Sequence, residues 1–151
     1  MKAAALDLDA VLGDTRPLWS AWLADLARRA RVELVVADDR GDAAAELDRL
    51  VGNWRPLLAR FAEDHAAVYL RPNPEVNAAL RRLGEGGVRL GAFTDAPAEL
   101  ASVALAHVGA ARRLDAFEAG SGARERIVER LGAGTRVIAT RDQLLLARAA
   151  G

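Results

Sequence analysis

Short apolar runs alternate with helical patterns along most of the chain. Four runs are candidate strands, and three later segments repeat apolar side chains at helical spacing before stopping at a glycine. Strands that alternate with helices are typical of crossover connections, which place parallel strands in one sheet with helices on its faces. The pattern therefore predicts an α/β fold with a parallel sheet, its strands at residues 3–8, 88–93, 113–117 and 135–140.

One long segment interrupts this alternation. Between about residues 15 and 70 there is no convincing strand, and the apolar positions follow helical spacing in three successive stretches. All three tryptophans lie in this segment, at a spacing that favours a role in its core. We therefore predict a small all-helical insert at residues 15–71, with residues 1–14 and 72–151 forming the sheet-containing part and residues 71–74 forming a rigid return linker.

The composition excludes several functional classes. The chain has 151 residues, 52% of them hydrophobic, and 21 basic residues balance 21 acidic ones. Without a concentrated basic surface we expect no binding to nucleic acid, and without a long apolar stretch we expect no binding to a membrane. The absence of cysteine excludes a disulfide framework and a thiol nucleophile. We expect a cytoplasmic protein whose length and hydrophobic content suit the core of a single domain.

Carboxylates stand at the ends of the first two predicted strands. Asp7 and Asp9 lie at the end of the first strand, and Thr94 and Asp95 follow the second. Ligands of open α/β sheets bind outside the carboxyl ends of the strands, and closely spaced carboxylates attract Mg²⁺. One acid could attack an electrophile while its neighbour moves protons. The same spacing is equally compatible with a structural role, in which Asp9 caps a turn and Asp7 pairs with an arginine.

Residues 4–15, AALDLDAVLGDT, resemble the first motif of the haloacid dehalogenase superfamily, an apolar strand followed by Asp-x-Asp, with Ala10 where glycine is usual. Residues 90–96, LGAFTDA, resemble its second motif, and residues 144–151 resemble the helix after its fourth. The helical segment lies where the family inserts its cap. The resemblance implies a Rossmann-like α/β core that carries a small helical cap.

The same resemblance implies roles for individual residues. Asp7 would be the nucleophile that becomes an aspartyl-phosphate, and Asp9 would protonate the leaving group and then activate water. Thr94 would bind the phosphoryl oxygens, and we include Asp95 and Arg124 with it as candidate phosphate-binding residues. Asp7 and Asp9, the latter through its main-chain carbonyl, would hold Mg²⁺ with Asp142 as a further acid.

The third and fourth motifs of the family are poorly matched. Lys2 is the single lysine among the 21 basic residues, and the third motif, which normally supplies a lysine or arginine, falls on residues 117–122, which contain no cation. Arg124 is the nearest substitute, but it lies on the predicted helix, which favours a surface arginine, and it would need a shifted loop to reach the site. The fourth motif falls on residues 138–143, where Asp142 is one residue out of register and could simply be the first acid of the last helix. Arg141 is a weaker candidate for the missing cation.

A loop and two histidines complete the candidates. Gly120-Ser121-Gly122 precedes a predicted helix that Ser121 could cap, and the loop could cradle an anion or be a flexible turn. His65 and His107 lie on apolar helical faces, which favours structural roles.

Two functions fit these observations. The first is an Mg²⁺-dependent phosphatase of a small phosphorylated metabolite, with dehalogenation as a weaker variant. The second is a catalytically lapsed domain with the same fold that binds a ligand or a protein partner. A receiver domain of two-component signalling also combines acids with a parallel sheet, but it needs a lysine at a later strand end, where Lys2 cannot serve.

Overall fold

Four parallel strands form the sheet, in the order β3-β2-β1-β4. The computed structural model describes residues 1–149, so the last two residues of the C-terminal segment that resembles a family helix lie outside the described residues. The strands are β1 (Ala3–Asp7), β2 (Arg89–Thr94), β3 (Ala116–Ala119) and β4 (Thr135–Ile138). The predicted α/β class with a parallel sheet is confirmed.

Seven α-helices are distributed around this sheet among residues 1–149. They are α1 (Arg16–Ala30), α2 (Arg40–Leu50), α3 (Trp54–Tyr69), α4 (Pro74–Glu85), α5 (Ala98–His107), α6 (Ala123–Leu131) and α7 (Arg141–Leu146). None of these helices combines the length and the apolar character that crossing a bilayer requires. Helices α1 to α3 account for the segment that was predicted to be helical, and we call residues 15–71 the cap segment.

The central position of β1 sets the location of the candidate site. β1 pairs with β2 on one side and with β4 on the other, so its first four residues are fully buried. The register places Asp7 beside Phe93 at the carboxyl edge of the sheet. Thr94 and Asp95, which follow Phe93 directly, therefore come close to the acids that follow β1.

The chain leaves β1 through a single π-helical turn at Leu8–Leu12, where the Gly13 amide donates to the Leu8 carbonyl at 2.9 Å. Such turns are rare in proteins, and those that do occur are often located at functional sites. The predicted first strand ran to residue 8, but Leu8 already belongs to this turn. The turn brings Asp9 back over the end of the sheet instead of continuing the strand.

The third strand lies later in the chain than predicted. A 3₁₀ turn at Ala111–Arg113 occupies the start of the predicted run, and β3 begins only at Ala116. Asp115 explains the difference, because its backbone N–H donates to Leu90 and its carboxylate accepts from the Leu90 amide, both at 2.8 Å. The chain joins β2 through this contact before regular pairing starts.

The tryptophans form the core of the cap segment, as predicted. Trp22 and Trp54 are buried with ring centroids 5.6 Å apart, and Trp19 lies 5.3 Å from Trp22. Trp54 is the first residue of α3. Its indole N–H donates to Asp48 at 2.8 Å, so the polar edge of the buried ring is satisfied.

The cap segment is continuous with the rest of the protein. Helix α3 packs against α5, and one buried cluster contains side chains from both parts, including Trp22, Leu58, Leu80 and Leu100. The return linker ends at Asn73, whose side chain accepts from the Glu75 and Val76 amides and caps α4. The division into core and cap domains at residues 14 and 72 stays a prediction.

Candidate active site

Asp7 ends β1 on the wall of a pocket of about 380 Å³. Its carboxylate accepts the Ala10 amide at 3.3 Å and thereby caps the π-helical turn. Burial and the nearby negative charge of Asp9 raise the pKa of Asp7, against the lowering effect of two backbone hydrogen bonds. Among residues 1–149 no arginine donates a hydrogen bond to this carboxylate, although the positive charge of Arg16 also acts to lower its pKa.

Asp9 lies deeper and accepts four hydrogen bonds. One oxygen, Oδ1, accepts the Thr15 amide at 2.9 Å and the Thr15 hydroxyl at 2.5 Å. The other, Oδ2, accepts the Thr94 hydroxyl at 2.7 Å and the Nη2 group of Arg40 at 2.7 Å. The structural alternative had Asp9 capping a turn and Asp7 pairing with an arginine. The structure shows the opposite assignment, in which Asp7 caps the turn and Asp9 pairs with Arg40.

Arg40 is the residue that the sequence did not single out. It is the first residue of α2, in the cap segment, yet its side chain is 3% exposed and lies among the strand-end residues. Its Nε and Nη2 groups donate to Asp95 Oδ1 at 3.1 and 2.8 Å, and its backbone N–H donates to Asp95 Oδ2 at 3.0 Å. A positive charge is unfavourable at the N-terminus of a helix. An arginine directly after the N-cap residue Asp39 was therefore a signal in the sequence that acidic side chains lie close to it.

Thr94 and Asp95 lie at the predicted position and are engaged within the protein. The Thr94 hydroxyl donates to Asp9, while its oxygen lies 3.2 Å from the Ala96 amide and 3.2 Å from Arg40 Nη2. Burial alone raises the pKa of Asp95, but hydrogen bonds and charge from Arg40 outweigh burial and lower it. The Asp95 carboxylate thus joins the core to α2, and its predicted contact with a phosphoryl group stays a prediction.

Two further arginines line the same pocket. Arg124 lies in the first turn of α6, exposed to solvent, with its guanidinium 6.0 Å from the centroid of the Phe93 ring. Arg16 begins α1 and pairs with Asp14 at 2.8 Å. Arg124 borders the pocket from α6, and its phosphate-binding role stays a prediction.

The loop at residues 120–122 also borders this pocket. Ser121 does not cap α6, contrary to expectation, because Gly122 occupies the N-cap position with a φ of 73° and no side chain caps the helix. This left-handed conformation favours glycine.

The residues assigned to the fourth motif lie elsewhere. Arg141 donates through Nε to the Val11 carbonyl at 3.0 Å and borders a different pocket, so it does not supply the missing cation. Asp142 is exposed in the first turn of α7 and is not among the residues lining the pocket of Asp7. The structure therefore gives Asp142 the position of a helix N-terminal acid, the alternative that the sequence left open.

The donor set for magnesium is incomplete among the described residues. Within residues 1–149 no group of three or more histidine or acidic side chains is arranged to hold a metal ion. Asp7 presents a carboxylate to the pocket, and the donor expected from Asp9 is its main-chain carbonyl, which the hydrogen bonds to the Asp9 carboxylate do not affect. Asp142 does not line the pocket. The resemblance implies the side chains of Asp7 and Asp142 and the main-chain carbonyl of Asp9. With Asp142 outside the pocket one of these donors is missing, and Mg²⁺ binding stays a prediction.

The histidines have structural contacts. His65 contacts the Phe61 carbonyl through Nδ1 at 2.9 Å and stacks on the Phe61 ring, while His107 contacts the Leu70 carbonyl through Nε2 at 3.0 Å. Neither residue lines the pocket of Asp7.

No protein-family model matches the chain, and none of the curated proteins matches it. Solved structures do. CbbY from Rhodobacter sphaeroides in complex with phosphate is similar with a TM-score of 0.69 and 15% identity, over 100% of this chain and 91% of that one. A putative beta-phosphoglucomutase from Thermotoga maritima has a TM-score of 0.57 and 21% identity, over 92% and 75%. A dehalogenase with an intermediate complex has a TM-score of 0.51 and 13% identity, over 92% and 76%. The chain therefore has the fold of the haloacid dehalogenase superfamily.

Proposed function

We propose that this protein is a phosphohydrolase that acts on a small phosphorylated metabolite through an aspartyl-phosphate on Asp7. The observation that supports this most is the pocket itself. The Asp7 carboxylate lies at a strand end in a pocket that is also lined by Arg16, Arg40, Arg124 and Thr94. Four further acids line the same pocket, Asp9, Asp39, Asp95 and Glu125. The three arginines are therefore the groups that would attract an anionic electrophile to Asp7, because phosphoryl transfer depends on positioning and charge neutralisation.

The proposed reaction has two steps. An Asp7 oxygen attacks phosphorus, the bond from phosphorus to the ester oxygen breaks, and a protonated Asp9 gives its proton to the leaving alkoxide. Water then attacks the aspartyl-phosphate, Asp9 takes a proton from that water, and the bond from phosphorus to Asp7 breaks. Inorganic phosphate and an alcohol leave, and both carboxyl groups return to their starting states.

The charge supply in this pocket differs from the family pattern. Bound Mg²⁺ would neutralise phosphoryl charge, but the described acids do not form its expected ligand set, so no step is derived through it. We propose instead that the three pocket arginines carry much of the positive charge. Removing one charge partner of a transition state typically costs about 10²–10³ in rate, so we expect slow turnover.

Hydrolysis of p-nitrophenyl phosphate by wild type and Asp7→Asn, each with Mg²⁺ and with EDTA, tests this proposal. We expect wild type to release nitrophenol above background and Asp7→Asn to be inactive. The matched control is Asp64→Asn, which makes the same change at an exposed acid of α3 outside the pocket. Equal background rates for wild type and Asp7→Asn across a panel of phosphomonoesters would overturn it. The EDTA arm tests the Mg²⁺ prediction separately.

A lapsed binding domain is the second candidate, and one observation favours it. Asp9 already accepts four hydrogen bonds, including one from a buried arginine, so the group proposed to carry protons is fully engaged. Such a domain would bind an anion, or a protein partner, without turnover. Calorimetry with beryllofluoride distinguishes the two, since binding combined with no hydrolysis of any phosphomonoester would favour the lapsed domain.

A further inference from the structure

The Arg40 guanidinium is shared between two carboxylates that belong to different strand ends. Asp95 receives three hydrogen bonds from Arg40, one of them from the backbone N–H at the start of α2. Asp9 receives a single hydrogen bond from Arg40. The contact with Asp95 therefore anchors Arg40, and the contact with Asp9 is the one that can be exchanged at smaller cost.

The hydrogen-bond capacity of Arg40 is unevenly used. Nη2 has two hydrogens but three acceptors, at 2.7 Å (Asp9), 2.8 Å (Asp95) and 3.2 Å (Thr94). Nη1 also has two hydrogens, yet among residues 1–149 its one acceptor is the Thr15 hydroxyl at 2.6 Å. A further acceptor can therefore be accommodated, and Asp9 can be replaced as a partner without leaving the guanidinium unsatisfied.

The position of Arg40 is fixed by the close approach of α2 to the core. Its neighbour Gly41 packs against the loop at Ser121, where an added Cβ would lie 2.0 Å from the Ser121 hydroxyl and 2.7 Å from its backbone nitrogen. Only glycine allows this approach. The guanidinium is thereby held at one wall of the pocket that contains Asp7, where an entering anion would meet it.

We propose that Arg40 holds Asp9 in the ligand-free protein and exchanges this contact for a phosphoryl oxygen when a phosphate group enters the pocket. Guanidinium binds phosphate oxygens in the same planar geometry as carboxylate oxygens, so the exchange conserves its ion pairing. Oδ2 of Asp9 is then released from Arg40 and can take up the proton that a monoanionic phosphate group brings into the pocket. The inference rests on the proposed function, since it makes the availability of Asp9 depend on the phosphorylated substrate.

A double-mutant cycle on the binding of inorganic phosphate tests the exchange. Phosphate affinity is measured by calorimetry for wild type, Asp9→Asn, Arg40→Gln and the double variant. If Asp9 competes with phosphate for Arg40, Asp9→Asn tightens binding on the order of tenfold when Arg40 is present and by a much smaller factor when it is absent. Asp7→Asn is the control, since it removes a charge from the same pocket that makes no hydrogen bond to Arg40, and its effect should be similar in both backgrounds.

Equal gains from Asp9→Asn with and without Arg40 would overturn the inference, and so would a failure of phosphate to bind the wild type. Arg40 is buried, so Arg40→Gln could fail to fold, and a second measurement uses the wild type alone. In a protein labelled with ¹³C, phosphate should shift the carboxyl resonance of Asp9 and leave that of Asp64 unchanged. An unmoved Asp9 resonance in the presence of bound phosphate would equally exclude the exchange.

These results are separable from those of the hydrolysis assay. A protein that binds phosphate and releases Asp9 but hydrolyses no phosphomonoester would retain the exchange and lose the proposed function. A protein that hydrolyses phosphomonoesters while Asp9 stays bound to Arg40 would retain the proposed function and exclude the exchange.

Discussion

Nη2 of Arg40 lies 2.7 Å from Oδ2 of Asp9, although 31 positions separate the two residues in the chain. Arg40 begins a helix of the cap segment, and Asp9 follows the central strand, so this ion pair joins the two parts of the protein at the candidate site. Arg40 also donates to the hydroxyl of Thr15, which itself donates to Asp9. The position of the cap segment and the state of Asp9 are therefore physically linked.

The close contact between α2 and the core makes Gly41 sensitive to substitution. Gly41→Ala places a methyl group against Ser121, including its backbone, so α2 must move away from the loop. Overpacking of this kind costs about 1–3 kcal/mol. Urea unfolding should show this loss in the free energy of unfolding.

Gly84→Ala is the matched control for Gly41→Ala. Gly84 lies in α4 with open space where a Cβ would be, so alanine should stabilise the helix by about 0.5–1 kcal/mol. Equal losses for the two glycine substitutions would contradict the packing argument.

The ion pair between Asp95 and Arg40 should make stability depend on acid pH. The pKa of Asp95 is lowered below its ordinary 3.8 in the folded state, so the unfolded chain binds its proton first as the pH falls. The stabilisation is complete above that ordinary value and is lost as the pH drops through the folded pKa. Denaturant unfolding between about pH 5 and pH 2 should therefore show a steeper decline for wild type than for Asp95→Asn.

Asp95 is 39% exposed, so added salt should reduce the difference between the two proteins. Parallel pH profiles for wild type and Asp95→Asn would show that the ion pair between Asp95 and Arg40 does not contribute to the free energy of unfolding.

Arg124 should contribute to anion binding in the pocket. Because its side chain is exposed, we expect Arg124→Gln to weaken the apparent affinity for a phosphomonoester by a factor of about 3–5, and less at high salt. Initial rates at increasing substrate concentration measure this effect as a rise in KM. Arg136→Gln, at an exposed arginine of β4 outside the pocket, is the control and should leave KM unchanged.

The tryptophan cluster should dominate the stability of the cap segment. Trp22 is 2% exposed and contacts both other tryptophan rings, so Trp22→Ala should cost about 3–5 kcal/mol in the free energy of unfolding. Val68→Ala, on an exposed face of α3, should change it by no more than about 0.5 kcal/mol. Chemical denaturation followed by circular dichroism compares the two, and similar losses would argue against a packed cluster.

The sequence predicted the elements whose cause is local. The apolar run that forms β1 is fully buried because strands pair with it on both sides, and the acids that follow it were placed correctly at the carboxyl edge. The third strand was placed too early, because the contact of Asp115 with Leu90 depends on a strand 25 positions away. Contacts of that kind leave no periodicity in the chain.

By itself the sequence determined the α/β class, the helical insert with its tryptophan core, and the strand-end positions of Asp7, Asp9, Thr94 and Asp95. Only the tertiary structure decided which cation meets these acids. It brought in Arg40 from the cap segment and left Arg141 and Asp142 outside the pocket. The physical reason is that hydrophobic periodicity and strand ends are properties of neighbouring residues. The partner of a buried charge depends instead on how distant helices pack, and here that packing depends on a glycine contact between α2 and a core loop.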